Sequence, residues 1–268
     1  MKEQIRQIIA ETTNPLQARN RVREYLQARI LQFVQEHGLF RNWIFHGGTA
    51  LRFLYRLPRY SEDLDFSFNR RDKAMDFESA VSKVQPWFES EAYQVDLRIN
   101  TDRVVKSASI GFPGLLHEMG LSPRRTQILS IKIELDSRPP LGGKTETSVI
   151  RRYMMLNILH YDKPSLLSGK LHALLSRPYI KGRDLYDIFW YLSEPSWPKP
   201  NIPFLNNALQ QTGWPGPEID QSHWTEVLAQ KLKTIDWRRA VEDVLPFLER
   251  PEDIMMMTRE NVLKLLKR

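Results

Sequence analysis

Residues 43–66 read Trp43-Ile-Phe-His46-Gly47-Gly48-Thr49-Ala-Leu-Arg52-Phe-Leu-Tyr-Arg-Leu-Pro-Arg59-Tyr-Ser61-Glu-Asp63-Leu64-Asp65-Phe66. The opening Trp43–His46 is a short apolar run that predicts a strand, and Gly47-Gly48 predicts a tight turn. Thr49 through Arg56 predicts a short helix closed by Leu57-Pro58. Apolar and polar residues then alternate from Asp63 to Phe68, the period of a second strand. A strand that ends in two glycines and enters a helix offers unpaired amides and close backbone approach, a geometry suited to phosphate. Thr49 can cap that helix or give its hydroxyl to the same anion. Asp63 and Asp65, two residues apart on a strand, point to one face, with Leu64 facing the core beneath. Two carboxylates on one face repel unless a cation lies between them, and Mg²⁺ takes oxygen ligands of this kind while sharing substrate phosphates. Neither Gly-Gly-Thr nor Asp-X-Asp means much alone; their order along the chain gives them weight.

Outward from this stretch, helical spacing runs from about Leu16 to His37 and stops at Gly38. Asp76 to Ala92 predicts a helix with a kink at Pro86, and Tyr93–Asn100, Val104–Phe112 and Thr126–Leu135 predict three more strands. In Ile131-Lys132-Ile133-Glu134-Leu135-Asp136 the alternation puts Lys132, Glu134 and Asp136 on one face. Glu134 is the preferred third carboxylate because Asp136 borders the Arg138–Gly143 breaker; the plain alternative is a solvated strand face. Beyond about Tyr161 the pattern is helical: Ser165–Arg177, Arg183–Ser193, Ile202–Thr212, Trp224–Thr234, Trp237–Leu248 and a short stretch near Asn261–Lys267. Lys170 and Arg177 lie seven residues apart on one helix face. Asp184 and Asp187 share a face in the first turn of the next, where helix capping and surface pairing are the ordinary explanation. The expected fold is α+β and bi-lobed, a mixed-sheet domain over residues 1–155 with leading helices, then a helical domain over 156–268.

The chain has 268 residues, 39 Lys+Arg against 32 Asp+Glu for a net charge of +7, and no cysteine. That excludes disulfides, thiolate metal sites and cysteine nucleophiles and fits a reducing cytoplasm. No apolar stretch reaches the length of a membrane span, and the N-terminus lacks the apolar core of a secretory signal, so a cytoplasmic protein without membrane contact is expected. The positive balance suits a partner rich in phosphate. Arg19, Arg21, Arg23, Arg124, Arg125, Arg151 and Arg152 are candidates for an RNA track, each otherwise an ordinary surface charge. His46 and His172 read as structural. The Met255-Met256-Met257 run reads as helical core or a partner-docking surface.

Strand, Gly-Gly helix and acidic strand, in that order, follow the plan of a nucleotidyltransferase palm. The segments Phe45–Arg52, Arg59–Phe66, Lys170–Arg177 and Arg183–Asp187 together resemble the AbiEii/AbiGii toxin family, including the MenT-type toxins, of the DNA polymerase β-like nucleotidyltransferase superfamily. The resemblance runs to at least Leu192. It implies the toxin half of a toxin–antitoxin or phage-defence pair, a cognate antitoxin as partner, and a Mg²⁺-bound nucleoside triphosphate whose nucleotide passes to tRNA or another RNA. Carried over, Gly47, Gly48 and Thr49 form the phosphate loop, and Asp63 and Asp65 hold metal; Glu134 joins them only as the third carboxylate that the strand alternation offers. Lys170 meets the triphosphate and Asp184 is the essential acid of the last motif, while Arg52 and Arg177, cations beside these motifs, are further candidates for nucleotide binding. Two other readings keep the same site: an NTP-binding regulatory module without turnover, and transfer to a protein or small molecule. Ser61, two residues before Asp63, is a candidate regulatory position, since a phosphate there would add nearly two negative charges beside the carboxylates; the ordinary reading is a turn serine.

Overall fold

The computed structural model describes residues 2–12, 14–69 and 76–267. Helix α1 spans Lys2–Ala10 and α2 spans Pro15–Glu36. The long helix begins where Asn14 Oδ1 accepts from the Leu16 and Gln17 amides at 2.9 and 3.2 Å, with Pro15 pre-set for its first turn. It stops before Gly38, whose φ of +67° ends the helix as the sequence predicts. Next come β1 (Trp43–His46), α3 (Gly47–Tyr55) and β2 (Leu64–Phe68). They are followed by α4 (Phe77–Val81), α5 (Val84–Glu89), β3 (Asp96–Asn100) and β4 (Val105–Phe112). Then α6 (Leu115–Glu118), β5 (Leu129–Asp136), β6 (Thr145–Arg152) and β7 (Met154–Tyr161) complete the strand-rich part. The rest is helical: α7 (Lys163–Ser176), α8 (Gly182–Leu192), α9 (Ile202–Gln211), α10 (Trp224–Lys233), α11 (Trp237–Val244) and α12 (Arg259–Leu265).

The strands form one seven-stranded mixed sheet in the order β3-β4-β5-β2-β1-β7-β6. β2 is central, antiparallel to β1 and parallel to β5. Its Leu64 and Phe66 are buried, and Phe66 meets the rings of Trp43 and Phe45, each at 5.3 Å. Burying an aromatic of this kind stabilises the fold by about 1.5–3 kcal/mol, which pins the register of the strand. Because side chains alternate, that register puts Asp65 on the other face.

The chain divides into two compact units. The first comprises 1–55, 60–138 and 147–160 and holds nearly all of the sheet; the second comprises 56–59, 139–146 and 161–268. In the second, α7 packs on α8 and α9, and α8 on α11. Closeness at the α8–α11 contact rests on Gly182, where a Cβ would overlap the carbonyl of Ala240.

Three expectations need correction. The predicted turn at Gly47-Gly48 is already the first turn of α3. The helix predicted across Pro86 is two helices, parted at Ser82-Lys83, with Pro86 in the opening turn of α5, where its missing N–H leaves no bond unmade. Strands β6 and β7, between the breaker and the helices, have no counterpart in the sequence reading. Among the described residues no helix is long and apolar enough to cross a membrane.

Candidate active site

In the first unit, the turn from β1 into α3 brings the acidic strand against a helix start. Gly47 has φ +79°, and a Cβ there would overlap the Asp65 carboxylate. Only glycine allows the two to meet. Thr49 is fully buried and its hydroxyl donates to the carbonyl of Asp63. The hydroxyl expected on a phosphate therefore holds the entry to β2 in place.

Asp65 pairs in register with His46 on one side and Glu134 on the other, and Glu134 continues to Ser107 of β4. Asp136 sits opposite Ser67 and accepts from the Arg138 amide at 2.9 Å. Glu134, not Asp136, is thus level with Asp65. Lys132, on the same face of β5, forms an ion pair with Glu134. The Glu134 hydrogen bond outweighs burial, and with the charges of Glu134, Asp63 and Asp65 it pushes the lysine's pKa up. The carboxylates act on one cation already.

Among the described residues no three acidic or histidine side chains close around a metal position. Mg²⁺ does not require that, since one or two carboxylates, waters and substrate phosphates complete its shell. Asp63 and Asp65 fit on chemistry: they are hard oxygen donors, and Asp65 abuts a backbone bend that leaves no room for a Cβ.

Arg52, expected on the triphosphate, is 2% exposed. Its Nε and Nη2 donate to Glu24 Oε2 at 3.0 and 2.8 Å, and its guanidinium lies 4.4 Å from the Tyr60 ring centroid. Arg152 takes the other oxygen of Glu24. Arg52 is part of this buried ion cluster. Ser61 is half-buried, and its carbonyl accepts from Gln27 at 3.1 Å. Of the arginines proposed for an RNA track, Arg19 donates to the Leu121 carbonyl, Arg21 pairs with Glu11 and Arg23 with Glu62. Arg124, Arg125 and Arg151 are exposed.

The second unit gathers the other predicted residues into a chain of alternating charges. Lys170 Nζ is 2.9 Å from Asp184 Oδ1 and 2.7 Å from Asp187 Oδ2. Arg177 pairs with the second oxygen of Asp184. Arg59 grips Asp187 with two bonds, Nε–Oδ1 at 2.6 Å and Nη2–Oδ2 at 2.5 Å. Burial would push the Asp184 carboxyl up, but Lys170 and Arg177 outweigh it and hold it at about 2. Burial would likewise lower the Lys170 ammonium, and Asp184 and Asp187 outweigh it to keep its pKa raised. Asp184 and Lys170 stay charged across the physiological range. Arg59 and Asp187 carry no assigned role in the sequence reading, although the Arg-Asp-Leu-Tyr-Asp spacing already sets Asp187 beside Asp184. His172, read as structural, lies 3.1 Å from the Thr212 hydroxyl. Met257 is buried, but Met255 and Met256 are exposed.

A family model described as the nucleotidyl transferase AbiEii toxin of a type IV toxin–antitoxin system matches residues 29–258. Solved structures share the fold. MenT4, a nucleotidyltransferase toxin from Mycobacterium tuberculosis H37Rv, aligns over 100% of this chain and 89% of its own, at 14% identity and a TM-score of 0.55. JHP933 from Helicobacter pylori aligns over 90% of this chain and 91% of its own, at 19% identity and a TM-score of 0.51. A putative nucleotidyltransferase from H. pylori covers 90% and 94%, at 17% identity and a TM-score of 0.54. No curated protein sequence matches the chain at a significant level.

Two predictions follow from these clusters. Replacing Arg52 with Ala strips Glu24 of its main partner and lowers the unfolding free energy by about 3–5 kcal/mol, measured in urea; a change within about 0.5 kcal/mol would mean the pair is not holding the fold. The Asp184 carboxyl is depressed from 3.8 to about 2, so its share of stability is complete above about pH 4 and lost as pH falls toward 2. The stability gap between wild type and Asp184→Asn is therefore flat from about pH 6 to about pH 5 and smaller at about pH 3. A gap that stays constant would contradict the assignment.

Proposed function

The chain belongs to the AbiEii nucleotidyltransferase toxin family, and from that premise we propose that it transfers a nucleotide from a nucleoside triphosphate to an RNA acceptor, the 3′ end of tRNA being the first candidate. The supporting observation is the close approach of Asp65 to Gly47 at the start of α3. A helix start attracts phosphate through its free amides and dipole, while a carboxylate at the same place repels it. A divalent cation reconciles the two. Mg²⁺ held by Asp63 and Asp65 would supply charge neutralisation at the triphosphate.

The chain's own residues do the rest. Backbone amides at 47–49 receive phosphate oxygens, and Thr49 acts indirectly, by anchoring Asp63. Lys170 and Arg177 contribute positive charge to the phosphates and to departing pyrophosphate, which is electrostatic positioning. The acceptor hydroxyl attacks the α-phosphorus, the bond to the β-phosphate breaks, and pyrophosphate leaves. Asp184, with both oxygens engaged and its carboxyl near 2, is too weak a base to take the hydroxyl proton. Glu134, half-exposed and level with Asp65, is the residue assigned to receive it. Arg124, Arg125 and Arg151 remain for the RNA backbone, and a protein antitoxin completes the toxin–antitoxin pair in the cytoplasm.

Purified protein incubated with each labelled NTP and total RNA tests this directly. Asp63→Asn is expected to abolish incorporation while keeping the wild-type unfolding midpoint. Undiminished transfer by that variant rules the mechanism out. In the same assay Ser61→Glu, which puts a negative charge two residues before Asp63, is expected to be strongly impaired; full activity removes Ser61 as a control point.

A further inference from the structure

The lysine assigned to the triphosphate sits in a setting more elaborate than phosphate contact alone requires. Asp187 is completely buried. A bare carboxylate there would be prohibitively costly, and Arg59, itself 2% exposed, satisfies it with a two-pronged grip. The Oδ2 atom gripped by Arg59 Nη2 also receives Lys170 Nζ at 2.7 Å. Asp184, three residues earlier on α8, is held less firmly. Its second oxygen goes to Arg177, whose side chain is 37% exposed.

An ammonium has three N–H bonds. Two of Lys170's are taken by Asp184 and Asp187. The third has no partner among the described residues, and the side chain keeps 12% of its surface open to solvent. A lysine is otherwise a point charge on a flexible four-carbon stem. Two carboxylates remove that freedom, and the one locked by Arg59 cannot drift.

We propose that Asp187, clamped by Arg59, is the positioning residue that fixes the Lys170 ammonium so that its remaining N–H meets a nucleotide phosphate. This rests on the functional reading above. Arg59 and Asp187 touch no substrate in this scheme; they act through Lys170. Arg177, on the far oxygen of Asp184, adds a second cation on the side away from the clamp.

The test uses the full chain and two readouts. One is the rate at which Lys170 is acetylated by acetic anhydride at about pH 8, read by peptide mass spectrometry against exposed lysines in the same sample. The other is KM and kcat for NTP in pyrophosphate release. In Asp187→Asn, with Arg59, Arg177 and Asp184 as the remaining charges around it, Lys170 is acetylated several-fold faster than in wild type. KM for NTP rises about ten- to hundredfold, the range found when a residue orienting a ligand group is lost. Arg59→Lys keeps the charge but not the double grip, and moves both readouts the same way by less. Asp187→Glu, which keeps the carboxylate, recovers part of the loss. A purely structural pair would lower the unfolding midpoint and leave Lys170's relative reactivity and KM at wild-type values, which would overturn the proposal. If Asp187→Asn does not fold, Arg59→Lys decides by the same criteria. A wild-type chain that releases no pyrophosphate from any NTP defeats the functional reading alone, and the acetylation ratio then decides the positioning claim.

Discussion

The contact between the Asp65 carboxylate and the backbone of Gly47 constrains everything around it. It exists because residue 47 has no Cβ and takes a φ of +79°, so that β1 turns directly into α3. It also needs β2 in one register. Leu64 and Phe66 enforce that register by burial, and slipping one residue would turn Asp65 into the core. The glycines, the apolar alternation and the acidic residues are therefore a single requirement. A strand–turn–helix without the acid could bind an anion, and an acidic strand without the glycine could not approach the helix start.

Both units bury charge, and in both a guanidinium makes that tolerable. In the first, Glu24 is shared by Arg52 and Arg152; in the second, Asp187 is shared by Arg59 and Lys170. Desolvating such groups is expensive, and an apolar substitute of the same shape often matches them for stability. Buried pairs of this kind are better explained by placement. The Arg52 cluster ties α3 to α2 within the first unit. The Arg59 cluster fixes where a lysine presents its charge.

Strands β1 and β2 and helices α7 to α10 were legible in the sequence because each carries its own periodicity and its own stops, such as Gly38 and the Arg138–Gly143 break. β6 was not, because the half-buried face of this edge strand is Ser148, Ile150 and Arg152, so Thr145-Glu-Thr-Ser-Val-Ile-Arg-Arg carries no apolar–polar alternation in its residue types. β7 does alternate at Leu156, Ile158 and His160, but its neighbour gave no hairpin pattern to read it with. Within the candidate site, residue types were readable and partners were not. Arg52 is chemically a good phosphate ligand, and only the fold reveals that Glu24, twenty-eight positions away, already holds it. The importance of Arg59 has the same origin, since its partner lies 128 residues further on.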